Sequence, residues 1–192
     1  MSEDELTKLI SETNAQVQKL EQRKNELSSQ LNALKDTADK NEKAAEIAKQ
    51  NAQTNGILSG RLAATGEGVV IRISQGSKQK IDSAILFTLL EELRNSGAEV
   101  IEINNVRVVT STYISGTAGS LVCDGTKLKS PFTIRAIGDS DNLQNAVNLA
   151  GGVGSRLKVK YGATVSVSPS DKVMIKSTRQ APQYTYAHVI GQ

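Results

Sequence analysis

The sequence predicts an α+β protein: a long N-terminal coiled-coil helix, then a ferredoxin-like split βαβ domain with an inserted β-hairpin. Three observations carry this. Apolar residues recur every 3.5 positions through the first quarter of the chain, the period that winds helices into a left-handed supercoil. Composition changes near Gly60, beyond which most Gly residues and all three Pro residues lie. Past that point β-branched runs and amphipathic helices follow in the order β, α, β, hairpins, β, α, β. The expected divisions are a stalk over 1–57, a globular part over 58–180 and a tail over 181–192.

Residues 1–57 hold no Pro and no aromatic residue, and no Gly before Gly56. Alternating steps of four and three place Ile10, Val17, Lys24 and Leu31 at one seam position, a, and Leu6, Leu20, Leu27 and Leu34 at the other, d. β-branched residues at a with Leu at d favour two parallel strands, and Lys24 at a disfavours larger bundles. Leu6, Ile10, Val17, Leu20, Leu27, Leu31 and Leu34 are the expected dimerisation residues. After Leu34 the seam is built from Ala and loosens. Gly56 and the polar residues around it read as a helix stop and short linker.

In the remainder, Gly68–Ser74 is a β-branched run and reads as a strand. From Ile81 to Ser96, residues Ile81, Ile85, Leu86, Leu89, Leu90 and Leu93 share one helical face, and Gly97 suits the stop. Glu99–Ile103 resumes strand character, so the unit predicts a parallel crossover. Asn104-Asn105 between β-branched residues predicts a two-residue hairpin turn, and Asp124-Gly125 a second. Pro131 leads into the strand Phe132–Ile137. Gly138-Asp139-Ser140-Asp141 offers N-caps for a helix through Leu143, Val147 and Ala150, ended by Gly151-Gly152. Residues 152–161 fit either an edge strand guarded by Lys or a short amphipathic helix. Ala163–Ser168 and Lys172–Ile175 read as a final strand pair about Pro169-Ser170.

Composition narrows function. A net charge of +3, from 23 basic and 20 acidic residues, argues against a nucleic-acid partner. One Cys and one His, Cys123 and His188, leave no material for a disulfide framework, a multi-Cys metal site or a His-based triad. No metal, no cofactor and no enzymatic activity are expected. No apolar run approaches the ~20 residues of a membrane span, and the start lacks the build of a signal peptide.

Four strings together resemble a bacterial family, domain of unknown function 881, of the YlxW/YlxX type. They are Gly68-Val69-Val70; Ser96-Gly97-Ala98-Glu99 through Arg107, with Thr110-Ser111; Pro131-Phe132 through Gly138-Asp139; and the closing strand before Ala181-Pro182. Two departures stand out. The family turn is usually Asn-Gly where this chain has Asn104-Asn105, and an Asp commonly stands where this chain has Ser74-Gln75-Gly76. The resemblance favours a helix over 152–161. It implies an N-terminal membrane anchor, absent from this chain, then a coiled coil, then this domain on the extracytoplasmic face of a bacterial membrane; a cytoplasmic location is the alternative. The implied function is a non-catalytic, homodimeric interaction module linked to cell division, sporulation or cell-wall assembly, with division or wall proteins as partners.

A second reading is a domain that senses a small anion or wall precursor. Asn104, Arg107, Ser111 and Arg135, with Arg72 beside them, are the candidate binding residues, because Arg107 matches the family Arg and Arg135 places a charge inside an apolar strand. Gly151–Arg156 lacks the Lys-Ser/Thr ending of a phosphate loop and reads as a cap and turn. Cys123 reads as a small buried residue, Asp139 and Asp141 as helix caps, and the alternating Tyr184–Tyr186 segment as a tail.

Overall fold

The structure, a computed structural model, describes residues 3–190, with side chains from Ile10 onward. The chain divides into two compact units between Ala52 and Gln53.

Helix α1 (Glu3–Leu58) follows from the Pro-free, Ala-, Gln-, Lys- and Glu-rich composition. Its seam is open to solvent: Ile10, Val17, Leu20, Leu27, Leu31 and Leu34 are 47–68% exposed. The Leu6 side chain lies outside the described residues. The helix does not stop at Gly56. It runs on to Leu58, and the chain turns away at Gly60, whose φ of 74° is costly for any residue with a Cβ. Gly56 stays in the last turn, where its carbonyl accepts from the Arg61 and Leu62 amides at 2.8 and 3.1 Å.

In the second unit follow β1 (Ala64–Ile73), α2 (Ser83–Asn95), β2 (Val100–Ile103), β3 (Val106–Val108), β4 (Ile114–Thr117), β5 (Ser120–Cys123), β6 (Thr126–Lys127), β7 (Phe132–Ile137), α3 (Ser140–Asn148), α4 (Val153–Val159) and β8 (Val165–Ile175). The main sheet has the order β3-β2-β7-β1-β8. The two strands joined through α2 are not neighbours: β7 lies between β1 and β2, antiparallel to both. Asn104 and Asn105 take φ of 46° and 64°, as the β2–β3 turn requires. The insert is larger than a hairpin. β4 joins β5 and β6 in a separate three-stranded sheet, a strand that Ile114-Ser115-Gly116-Thr117 does not announce by alternation.

Helices α2, α3 and α4 bury Ile85, Leu86, Leu89, Leu90, Leu93, Leu143, Val147 and Leu157 in one core with Val69, Ile71, Ile73, Ile101, Ile103, Phe132 and Ile134. Ile81 is buried too but precedes α2, because Asp82 takes the cap in an extended conformation and accepts from the Ile85 amide at 2.9 Å. Residues 153–159 resolve the ambiguous segment as a helix.

The expected strand pair about Pro169-Ser170 is instead one strand, β8, paired with β1 along both halves. An edge strand tolerates Pro because one row of its amides needs no partner. A bulge opposite Gly66–Gly68 adds a residue to β8, and the extra residue reverses which side chains face which side. Val165 and Val167 pack toward the helices, whereas Val173 and Ile175 join Val100 and Ile137 in a second cluster. Among the described residues, no helix is long and apolar enough to cross a membrane.

Candidate functional site

Alternation along β2 sends Ile101 and Ile103 into the helix-side core, so Glu102 points to the opposite face of the sheet. Register then sets a row across four strands: Arg107 on β3, Glu102 on β2, Arg135 on β7 and Val70 on β1. Two arginines therefore flank one buried carboxylate.

Their fates differ. Arg107 is 2% exposed. Its Nη1 donates to the carbonyls of Leu62 (3.0 Å) and Ser177 (3.2 Å), and its Nη2 to that of Ile57 (2.9 Å). Burial lowers the pKa of its guanidinium while the Glu102 charge raises it, and an arginine stays protonated through such shifts. The Ile57 carbonyl belongs to the last turn of α1, whose partial negative charge favours a cation there. Arg107 thus fastens the helix end and the segment after β8 to the sheet; it is structural.

Arg135 is one-third exposed at its side chain, and its Nη1 meets Glu102 Oε2 at 2.8 Å. It lines a groove of about 380 Å³ together with Val70, Glu102, Asn105, Lys172, Val173, Met174 and Lys176. The expected quartet is therefore not assembled. Asn104 has both ends of its amide engaged, Nδ2 donating to the Lys129 carbonyl (2.7 Å) and Oδ1 accepting from the Thr133 amide (2.8 Å), so it clips the β2–β3 turn to β7. Ser111 is exposed in the turn after β3, and Arg72 is exposed on β1; neither lines the groove. Asn105, Lys172 and Lys176 were not anticipated. The signal for the lysines was Lys172-Val173-Met174-Ile175-Lys176, an apolar strand segment bracketed by two cations.

The remaining candidates are occupied structurally. Burial pushes the Cys123 thiol up to about 11, which suppresses the thiolate a nucleophile needs. Asp139 Oδ1 accepts from the Asn142 amide at 2.8 Å, capping α3, and Asp141 stands in the first turn of that helix. Gly151-Gly152 joins α3 to the short α4. The Tyr161 hydroxyl donates to Asp82 Oδ2 at 2.7 Å. Burial raises the Asp82 pKa, but this bond and the backbone bonds outweigh it and hold the carboxyl below its ordinary value. Tyr161 is pushed up to about 12, by burial first and then by the same bond. Tyr184 and Tyr186 are exposed and lie outside any strand.

Residues 51–188 match the family described as bacterial protein of unknown function (DUF881). The chain belongs to this family. The UPF0749 protein Rv1825 of Mycobacterium tuberculosis is 34% identical over 169 residues, covering 86% of this chain and 57% of that protein. The UPF0749 protein YlxW of Bacillus subtilis is 30% identical over 126 residues, covering 61% of this chain and 54% of that one. A crystal structure of an uncharacterized conserved protein from Mycobacterium tuberculosis superposes with a TM-score of 0.66 at 35% identity, covering 73% of this chain and 99% of the other. The chain thus spans a little over half the length of these two curated relatives.

Proposed function

We propose that this DUF881 chain is a non-catalytic interaction module: a two-stranded coiled-coil stalk presenting a ferredoxin-like split βαβ head. The observation that carries the reading is the α1 seam, whose branched apolar side chains keep about half or more of their surface exposed at the spacing that a second helix fills. Burying one such side chain contributes roughly 1.5–3 kcal/mol when complete. With about half of each left to bury, the six from each of two helices contribute about 9–18 kcal/mol, against an association cost of about 4–15 kcal/mol. The order of the head strands, β8-β1-β7-β2 with β3 at the edge, supports the split βαβ description. Occupation of Cys123, Asp82 and Asp139 by packing and capping supports a role without chemistry. Work at the outer face of a bacterial membrane, beside division, sporulation or wall-assembly proteins, accords with the family's layout of stalk followed by head.

Sedimentation of the full chain tests the stalk. A dimer is expected at tens of micromolar (~50 µM, near −6 kcal/mol), with Leu27→Lys monomeric and its head still folded. Ile10→Cys should cross-link to its counterpart on oxidation, since parallel strands place identical a positions side by side. A monomeric full chain at that concentration refutes the reading.

A further inference from the structure

The groove beside Glu102 carries an uneven charge. Three cations, Arg135, Lys172 and Lys176, share it with one carboxylate, and that carboxylate is buried and already met by Arg135. On its other side Glu102 faces Arg107 in register, so its charge is more than balanced. Arg107 is used up by backbone carbonyls. Arg135 is not: Nη1 reaches Glu102 and, at 3.5 Å, Asn105 Oδ1, while its Nη2 and Nε have no protein partner among the described residues. A guanidinium held by one nitrogen keeps a fork of donors that suits the oxygens of a phosphate.

The second wall comes from the β8 bulge. By adding a residue, it turns Val173 toward this face; Lys172 on the same edge strand and Lys176 just after it, both exposed, also line the groove. Lysines on an edge strand also serve to repel strand pairing. That duty needs no particular geometry, whereas here they converge with an arginine from β7 over an apolar floor of Val70 and Val173. About 380 Å³ accommodates a phosphate and an attached group of sugar size.

We infer that this groove binds a phosphate-bearing small molecule. Arg135 grips the phosphate oxygens, Lys172 and Lys176 neutralise its charge, Asn105 contributes an amide, and Val70 and Val173 pack against the organic part. Glu102 is a positioning residue that orients Arg135.

The test titrates the full chain with sodium pyrophosphate at fixed ionic strength, read by amide NMR. In parallel, flotation with vesicles of phosphatidylglycerol in phosphatidylcholine asks whether the phosphate comes from a lipid headgroup. Saturable shifts at Asn105, Lys172 and Val173 are expected, at least about tenfold weaker in Lys172→Gln/Lys176→Gln, because charge-assisted hydrogen bonds are lost. The thermal midpoint of that variant should be unchanged, both side chains being exposed. Vesicle binding that falls in the variant, without pyrophosphate binding, assigns the phosphate to a headgroup and supports the site. Absence of both up to roughly 10 mM pyrophosphate, weaker than the millimolar affinity of about −4 kcal/mol, overturns it. So does a variant that binds as the parent does.

Discussion

Replacing Arg107 by alanine removes a buried cation from three carbonyl groups and from one side of a buried carboxylate. Hydrogen bonds to a charged group contribute about 1.5–3 kcal/mol each, but the carbonyls of Ile57, Leu62 and Ser177 recover part of this by rehydrating once the side chain is gone. Glu102 keeps Arg135 as its partner. The net loss should match that of breaking a buried charged contact, about 3–5 kcal/mol, which for a head of this size lowers Tm by roughly 10–20 °C. Urea and thermal melts of the full chain measure it. Hydrogen exchange adds a local readout, since the amides of Arg61 and Leu62 donate to Gly56 and should lose protection first. Arg107→Lys should recover only part of the loss, because one ammonium cannot reproduce a planar fork. Arg135→Ala, at a more exposed pair, should cost about 1–2 kcal/mol. An Arg107→Ala chain within about 1 kcal/mol of the parent, or an equal loss at Arg135, would refute the division of these arginines into one that builds the head and one that faces the groove.

Two other perturbations test the packing. The Asp82 carboxyl is held below its ordinary value of 3.8, so its contribution is present above that pH and is lost as the pH falls through the lower folded value. Asp82→Asn retains a cap acceptor but not the charge; its destabilisation relative to the parent should therefore be largest near neutrality and shrink below pH 3.8, as read from urea melts across that range. A Cβ on Gly154 would sit 2.0 Å from the Val147 carbonyl oxygen, so Gly154→Ala should force α4 away from α3 and cost about 1–3 kcal/mol or more in a thermal melt.

Local periodicity and turn chemistry were enough for much of this fold. Helix α1, the α2 face, the Asn104-Asn105 and Asp124-Gly125 turns and the β7 strand each depend on residues within a few positions of one another. Their energies are set by backbone sterics and near-neighbour side chains, which any reader of the chain can apply. Expectation and structure part where that locality ends. Pro169-Ser170 looks like a turn when read alone, but the long partner β1 holds both flanks in one strand and absorbs the irregularity as a bulge. The weakly patterned Ile114–Thr117 becomes a strand because β5 lies beside it.

The candidate site divides along the same line. That Arg107 and Arg135 would be special followed from charge within β-branched runs. Which of them is buried was decided by segments far away in sequence: Ile57, Leu62 and Ser177 close over Arg107, while Arg135 keeps a third of its side chain exposed. Lys172 and Lys176 line the groove because β8 lies along β1 at this edge of the sheet. By itself the sequence determined the apolar period of α1, the mixed α and β class of the second unit and the identity of its charges. Tertiary structure decided which charges meet solvent, because desolvation depends on every atom within a few ångströms, whichever part of the chain supplies it.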